Sequence, residues 1–260
     1  MRRGITMNNP SRVTIRETYT LPSRGKFPGV PERITWRAMS LMDEKQRLAS
    51  QGISGIVDLI GNCTVEPEGF DPYCLSRFDC DFAMMKLRIV SHGPMYNVEV
   101  RCPHCGKLIK EAINLDELPV KEVEDDFSPV FEMGPLPTSG DILKVKMLVM
   151  GDLRDIDEEA RRVSAKFPDY PGNPADVLSY IYKIQEVNGE KLPFTRLKTY
   201  VENMPVSDSV YFDQAYEEAY SDYGVDTQLA FVCDNCRQSF TKFMPLNEEF
   251  FRPKYNTQKR

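Results

Sequence analysis

The sequence predicts an α+β fold: two duplicated β-hairpins, with helices before and between them. Three observations lead there. One segment recurs without gaps at a constant offset of 131 residues. Each copy carries a Cys-x-x-Cys pair between two stretches that alternate like strands. The regions before and between the copies carry start and stop signals of helices.

Taken in order, residues 1–34 are rich in Pro, Arg and Thr and lack periodicity, which predicts an extended N-terminal arm, either free or docked on a partner. Ser40-Leu41-Met42-Asp43 has the form of a capping box with Asp in place of Glu. The helix it opens should run to about Gln51 and close at Gly52. A short second helix is expected over Ile53–Ile60, stopped by Gly61-Asn62, and a buried helix over Asp79–Val90 on the apolar set Phe82, Met85, Leu87 and Ile89. With the first hairpin these make a region over residues 35–120. Residues 121–204 read as an insert. Its stretch Glu122–Ser139, acidic and then rich in Pro and Gly, predicts a linker or surface excursion. A strand over Ile142–Val149 follows, then helices over Ile156–Lys166, from Asn173 to a stop at Asn188-Gly189, and over Thr195–Asn203. Asn173 is the N-cap of the second of these and Pro174 its first residue, with Val177, Ile181 and Ile184 on one face. Residues 205–260 add a helix over Ser209–Tyr223, the second hairpin and a tail.

Bulk properties narrow the function classes. The chain of 260 residues is 41% hydrophobic, enough for one sizeable core or two smaller ones. A net charge of -6 and a pI near 5.2 argue against a general nucleic-acid binder. No apolar stretch nears the roughly 20 residues of a membrane span, and no secretory signal opens the chain, which predicts a soluble protein made in a reducing compartment. Seven cysteines there are thiols or metal ligands rather than disulfides.

In the repeat, Gly93 falls on Gly224, Val98 and Val100 on Leu229 and Phe231, and Cys102 and Cys105 on Cys233 and Cys236. Leu115-Asp116-Glu117 falls on Leu246-Asn247-Glu248. A Cys-x-x-Cys at a hairpin tip turns backbone N–H groups toward the sulfurs, which favours metal-bound thiolates. Two such zinc knuckles supply four thiolates, and the sequence therefore predicts one structural Zn2+ on Cys102, Cys105, Cys233 and Cys236. A closed set of this kind leaves no position for a reacting water. Two redox pairs, or two separate sites each recruiting another ligand, are the alternatives. Neither pair sits in a thioredoxin-like βαβ pattern. His104 between the ligands reads as a bystander, and His92, whose counterpart is Tyr223, as structural. Cys63, Cys74 and Cys80 read as buried small hydrophobes.

No phosphate loop, nucleophile elbow or zinc-protease motif is present, and the acidic run Asp155, Asp157, Glu158, Glu159 reads as a helix start that complements the dipole. No enzyme is predicted. A zinc ribbon that binds nucleic acid is the alternative function, with Arg101, Lys107 and Arg237 beside tips made of Pro103-His104 and Asp234-Asn235.

Several motifs together resemble a known family. They are Leu21-Pro22-Ser23-Arg24-Gly25-Lys26-Phe27, the helix from Trp36 with Glu44, Asp81 before the apolar helix, and Leu87-Arg88-Ile89-Val90-Ser91-His92-Gly93 leading to Tyr96 and Cys102-Pro103-His104-Cys105. Cys233-Asp234-Asn235-Cys236 and the ending Pro245-Leu246-Asn247-Glu248-Glu249-Phe250-Phe251-Arg252-Pro253 complete the set. In this order they resemble the baseplate hub subunit family of T4-type contractile-tailed bacteriophages, over about residues 18–120 and 205–253. The resemblance implies a virion or assembly protein of the tail baseplate, present in the host cytoplasm during assembly. Its implied partners are other phage tail and baseplate proteins, with the tape-measure protein among the candidates. Phe250-Phe251 is either a partner surface or packs under the second hairpin; Glu122–Asp126 is a second candidate surface, and Glu248-Glu249 reads as a solvated turn.

Overall fold

Where the sequence reading expects an arm, the chain forms a sheet. In the computed structural model, which describes residues 15–49, 54–220, 223–244 and 250–251, strand β1 (Arg16–Thr20) pairs antiparallel with β2 (Arg33–Arg37). β3 (Thr64–Glu66) adds to the other edge of β2. The loop between β1 and β2 buries Leu21, Phe27 and Val30. Every β1 side chain keeps some exposure, so the strand shows no apolar alternation to read. The expected arm over residues 1–34 is thus corrected from residue 15 onward; its first fourteen residues lie outside the described ones.

The capping box is formed. Helix α1 (Leu41–Ala49) starts with the Asp43 N–H donating to Ser40 Oγ at 3.3 Å and the Ser40 N–H to Asp43 Oδ2 at 2.7 Å. Its expected closure at Gln51-Gly52 lies outside the described residues. Arg37 adds two hydrogen bonds to the same carboxylate, at 2.7 and 3.1 Å, and Asp43 is only 5% exposed. Burial opposes its ionisation, but the Arg37 and Ser40 donors outweigh burial and hold its pKa at about 2, below the ordinary 3.8. A folded-state pKa below the unfolded one means stability that is full above the unfolded pKa and lost as pH falls through the folded one. Asp43→Asn is expected to cost about 1–3 kcal/mol and to flatten the acid limb of the stability curve between about pH 4 and pH 2. Denaturant titrations across that range check this, and an unchanged acid limb would contradict it.

Helix α2 (Ser54–Cys63) runs on through Gly61 and Asn62, which the sequence reading takes as its stop. Gly61 serves close approach instead: a Cβ there would lie 2.8 Å from Pro72 Cγ. Helix α3 (Arg77–His92) is the expected buried helix, capped by Ser76, whose Oγ accepts from the Asp79 N–H at 3.0 Å. It leads into the hairpin β4 (Met95–Arg101) and β5 (Leu108–Asn114).

The expected linker over Glu122–Ser139 is built into the fold. Val123, Met133 and Leu136 are buried, and β7 (Val130–Met133) opens a meander with β8 (Leu143–Lys146) and β9 (Ile184–Val187). Between β8 and β9 run α4 (Met150–Lys166) and α5 (Pro174–Lys183). α5 begins as predicted, with Asn173 Oδ1 accepting from the Ala175 N–H at 3.1 Å. It ends at Lys183, so Ile184 belongs to a strand and not to the helix face. α4 begins six residues before Ile156, hence the run Asp155, Asp157, Glu158, Glu159 lies inside the helix. Its members pair with Arg154, Arg161 and Arg162. The acid at the true helix start is Asp152, which accepts from the Val149 N–H at 3.0 Å. Helices α6 (Phe194–Glu202) and α7 (Val206–Tyr220) lead to the second hairpin, β11 (Gln228–Val232) with β12 (Ser239–Phe243). Short strands β6 (Val120–Lys121) and β10 (Gly224–Val225) pair between the hairpins.

Two cores result. One packs the β1–β3 sheet and α3 against both hairpins, through Trp36, Phe82, Val98, Val100 and Phe231. The other packs the β7–β9 sheet against α4 to α7, through Leu143, Ile181, Leu197 and Phe212. Phe250 and Phe251 are 1% and 6% exposed, with the Phe250 ring 5.3 Å from that of Tyr96. The pair is packed in the core, with Phe250 against Tyr96 of the first hairpin, and is not a free surface for a partner.

Candidate metal centre

Each Cys-x-x-Cys lies where a hairpin turns, and the two turns are alike atom by atom. In the first, the Cys102 N–H donates to the Lys107 carbonyl at 2.9 Å and the Gly106 N–H to the Cys102 carbonyl at 2.9 Å. In the second, Cys233 donates to Gln238 at 3.0 Å and Arg237 to Cys233 at 2.8 Å. The Lys107 N–H also reaches the Cys105 sulfur, and the Gln238 N–H the Cys236 sulfur. The turn needs a left-handed residue directly after its second cysteine. The first copy places Gly106 there at φ 73°, the second places Arg237 at φ 60°. A Cβ at Gly106 would meet no atom within 4 Å, so a side chain there is opposed by backbone strain alone. Gly106→Ala is expected to destabilise by about 1 kcal/mol, and Arg237→Gly to stabilise by a few tenths to about 1 kcal/mol. Thermal denaturation of both variants checks the opposite signs; two neutral results would contradict the strain.

Packing of the inner faces brings the tips together. Val98, Val100, Leu229 and Phe231 are buried in the shared core, while the alternate positions of β4 and β11 face out. Arg88, 1% exposed on α3, donates to the Gly93 carbonyl at 2.6 Å and the Met95 carbonyl at 3.1 Å, which fixes the entry to the first hairpin. An arginine on an otherwise apolar helix face is the signal in the sequence that could mark this role of Arg88.

The four sulfurs lie within 4.8 Å of one another. Cys102 Sγ is 3.7 Å from Cys236 Sγ, and Cys105 Sγ is 3.6 Å from Cys233 Sγ. A tetrahedral site with metal–sulfur bonds of about 2.3 Å has edges of about 3.8 Å. The donor set therefore fits a tetrahedral metal ion. The two outer thiols shift in opposite directions. The Lys107 N–H and then the Asn235 amide, 3.5 Å from the sulfur, draw the Cys105 thiol down to about 6. At Cys236 the Gln238 N–H acts in the same sense, but loss of water and the neighbouring sulfurs Cys105, Cys102 and Cys233 outweigh it and push the thiol up to about 12. Four thiolates at these distances repel one another unless a cation sits between them.

The remaining candidates stand apart. His104 is exposed, and among the described residues the only group able to hold a metal ion is the four cysteines. Cys63 and Cys80 are buried and burial pushes each thiol up to about 12, as expected of inert core cysteines. Cys74 is only half-buried, so the buried reading fails there, although loss of water still pushes its thiol up to about 11.

Residues 13–252 match the family described as T4 bacteriophage base plate protein. The chain belongs to that family. The matched range includes both hairpins and all four cysteines. No curated protein and no solved structure matches the chain. Membership gives the coarse role: a structural component of a phage baseplate, located in the virion tail among other tail and baseplate proteins. Among the described residues no helix is long and apolar enough to cross a membrane.

Proposed function

We propose that this baseplate protein is a hub component, that one structural zinc ion on Cys102, Cys105, Cys233 and Cys236 ties its hairpins together, and that it acts by protein–protein contact without catalysis. The carrying observation is the convergence of two Cys-x-x-Cys tips, far apart in sequence, at tetrahedral edge lengths in a chain of the baseplate family. Zinc would supply a closed, redox-inert cross-link. The chain's own residues do the rest: backbone N–H groups orient the sulfurs, and the buried faces of β4 and β11 set the angle between the hairpins. Such rigidity suits a subunit that must be held at a fixed angle in an assembly. Its expected neighbours are hub proteins, with the tape-measure protein as a further candidate, and assembly begins in the host cytoplasm.

Affinity-tagged full chain, recovered from infected cells and analysed by mass spectrometry, tests the contact role. Recovery of hub and tail proteins is the expected result. Recovery of nucleic acid, with salt-dependent binding to generic DNA, would favour the zinc-ribbon alternative. A turnover lost on zinc removal would overturn the role by contact alone.

A further inference from the structure

The repeat is longer than the hairpins. Both three-stranded sheets are antiparallel meanders with the central strand second in sequence and a helical excursion before the third. Their irregularities coincide. Thr35 faces Glu66 and Trp36 faces Thr64 across one register shift; Lys144 faces Glu186 and Val145 faces Ile184 across the other. Each central strand then supplies a cation to the carboxylate that caps the next helix. Arg37 meets Asp43 at 2.7 Å, and Lys146 meets Asp152 at 2.7 Å. The loops joining the first two strands also match: Leu21-Pro22-Ser23-Arg24-Gly25 and Leu136-Pro137-Thr138-Ser139-Gly140, with both leucines buried and both glycines at φ 73°. Each loop donates to an aspartate in the first turn of the helix before its hairpin. The Ser23 N–H reaches Asp79 Oδ1 at 3.0 Å, and the Thr138 N–H reaches Asp208 Oδ1 at 2.7 Å.

We infer that the described residues from Arg16 onward form a tandem duplication of one unit, beginning at residues 16 and 130, with the four-thiolate site on the pseudo-two-fold axis between the copies. The hairpin face of each unit is then the docking surface for the other copy. A two-fold that exchanges the units sends Cys102 to Cys233 and Cys236 to Cys105. The pair Cys102–Cys236 therefore maps onto Cys233–Cys105, and the two separations, 3.7 and 3.6 Å, agree. The place of the metal rests on the zinc reading above; the duplication does not.

In a two-fold pair, the path from the end of the first unit to the start of the second equals the path from the end of the second to the start of the first. A circular permutant tests this. It opens between Asp125, whose side chain is 89% exposed, and Asp126, and joins Phe251 to Ile15 through a linker as long as residues 119–129. The control is the native order over the same residues 15–251, folded and then nicked at the same bond through an inserted protease site. The permutant is expected to be monomeric, to bind one zinc per chain, and to melt within about 5 °C of the control. An unfolded permutant beside a folded control would overturn the duplication. Folding of both without zinc would remove the metal from the axis and leave the duplication standing. A second variant decides the case if nicking itself unfolds the control. Exchange of the tip residues Pro103-His104 and Gly106-Lys107 with Asp234-Asn235 and Arg237-Gln238 in the full chain should keep both metal and melting temperature. Loss of either would overturn the equivalence.

Discussion

Cys102→Ser and Cys233→Ser are each expected to abolish metal retention and to leave a protein that is insoluble or lacks fixed packing near 37 °C. Closed four-ligand sites contribute on the order of 10 kcal/mol in small zinc domains, comparable with the whole stability of a typical fold. Here the site also closes a chain segment of more than a hundred residues, because its two pairs belong to separate hairpins. Cys102 and Cys233 are 2% and 0% exposed, so a serine at either would also place an unmatched hydroxyl in the core. Equal losses are the signature of one shared site. Metal content and near-ultraviolet circular dichroism of the two variants provide the check. A folded, metal-loaded protein from one of them would mean that the pairs do not share an ion.

Phe231→Ala is expected to destabilise by about 3–5 kcal/mol, since the ring leaves a cavity that its neighbours cannot fill. Phe231 is 1% exposed, stacks on Phe240 with ring centroids 5.5 Å apart, and stands on the inner face of β11 beside the first hairpin. Phe243 on the paired strand β12 is 69% exposed, and Phe243→Ser should change stability by no more than about 0.5 kcal/mol. Urea denaturation of the two variants separates these magnitudes. Similar costs would mean that the inner and outer faces of the hairpin are misassigned. Metal loading of Phe231→Ala should weaken as well, because this ring helps set the approach of the tips.

Much of the candidate site was legible because its signals are local and unshifted. The hairpins keep one offset from the pair Gly93 and Gly224 to the pair Ala112 and Phe243, so the glycine, the inward apolar positions and both cysteines recur in register. Asn173-Pro174 and Ser40 to Asp43 announce their helices by capping chemistry that acts within one turn. Of the two meanders only β8 was legible, as the alternating strand over Ile142–Val149, and the rest was hidden for opposite reasons. β1 exposes all its side chains in part, so its burial cannot be read, and its anchoring residues Leu21 and Phe27 lie in the loop beyond it. Ile184 continues the apolar face of α5 in sequence, and only the pairing with β8 turns it into a strand. α4 has no polar N-cap side chain; Asp152 caps from inside the helix, so the pattern shows its start only from Ile156, six residues late. The wider duplication was hidden because its offset drifts. It is 115 between Leu21 and Leu136, 109 between Asp43 and Asp152, and 120 between Thr64 and Ile184.

X-ray absorption at the zinc edge, together with total metal analysis of the purified full chain, tests the shared site most directly. One zinc per chain with four sulfur neighbours at about 2.3 Å is the predicted result. Two zinc ions per chain, a nitrogen or oxygen neighbour in the shell, or a folded chain without bound metal would contradict it.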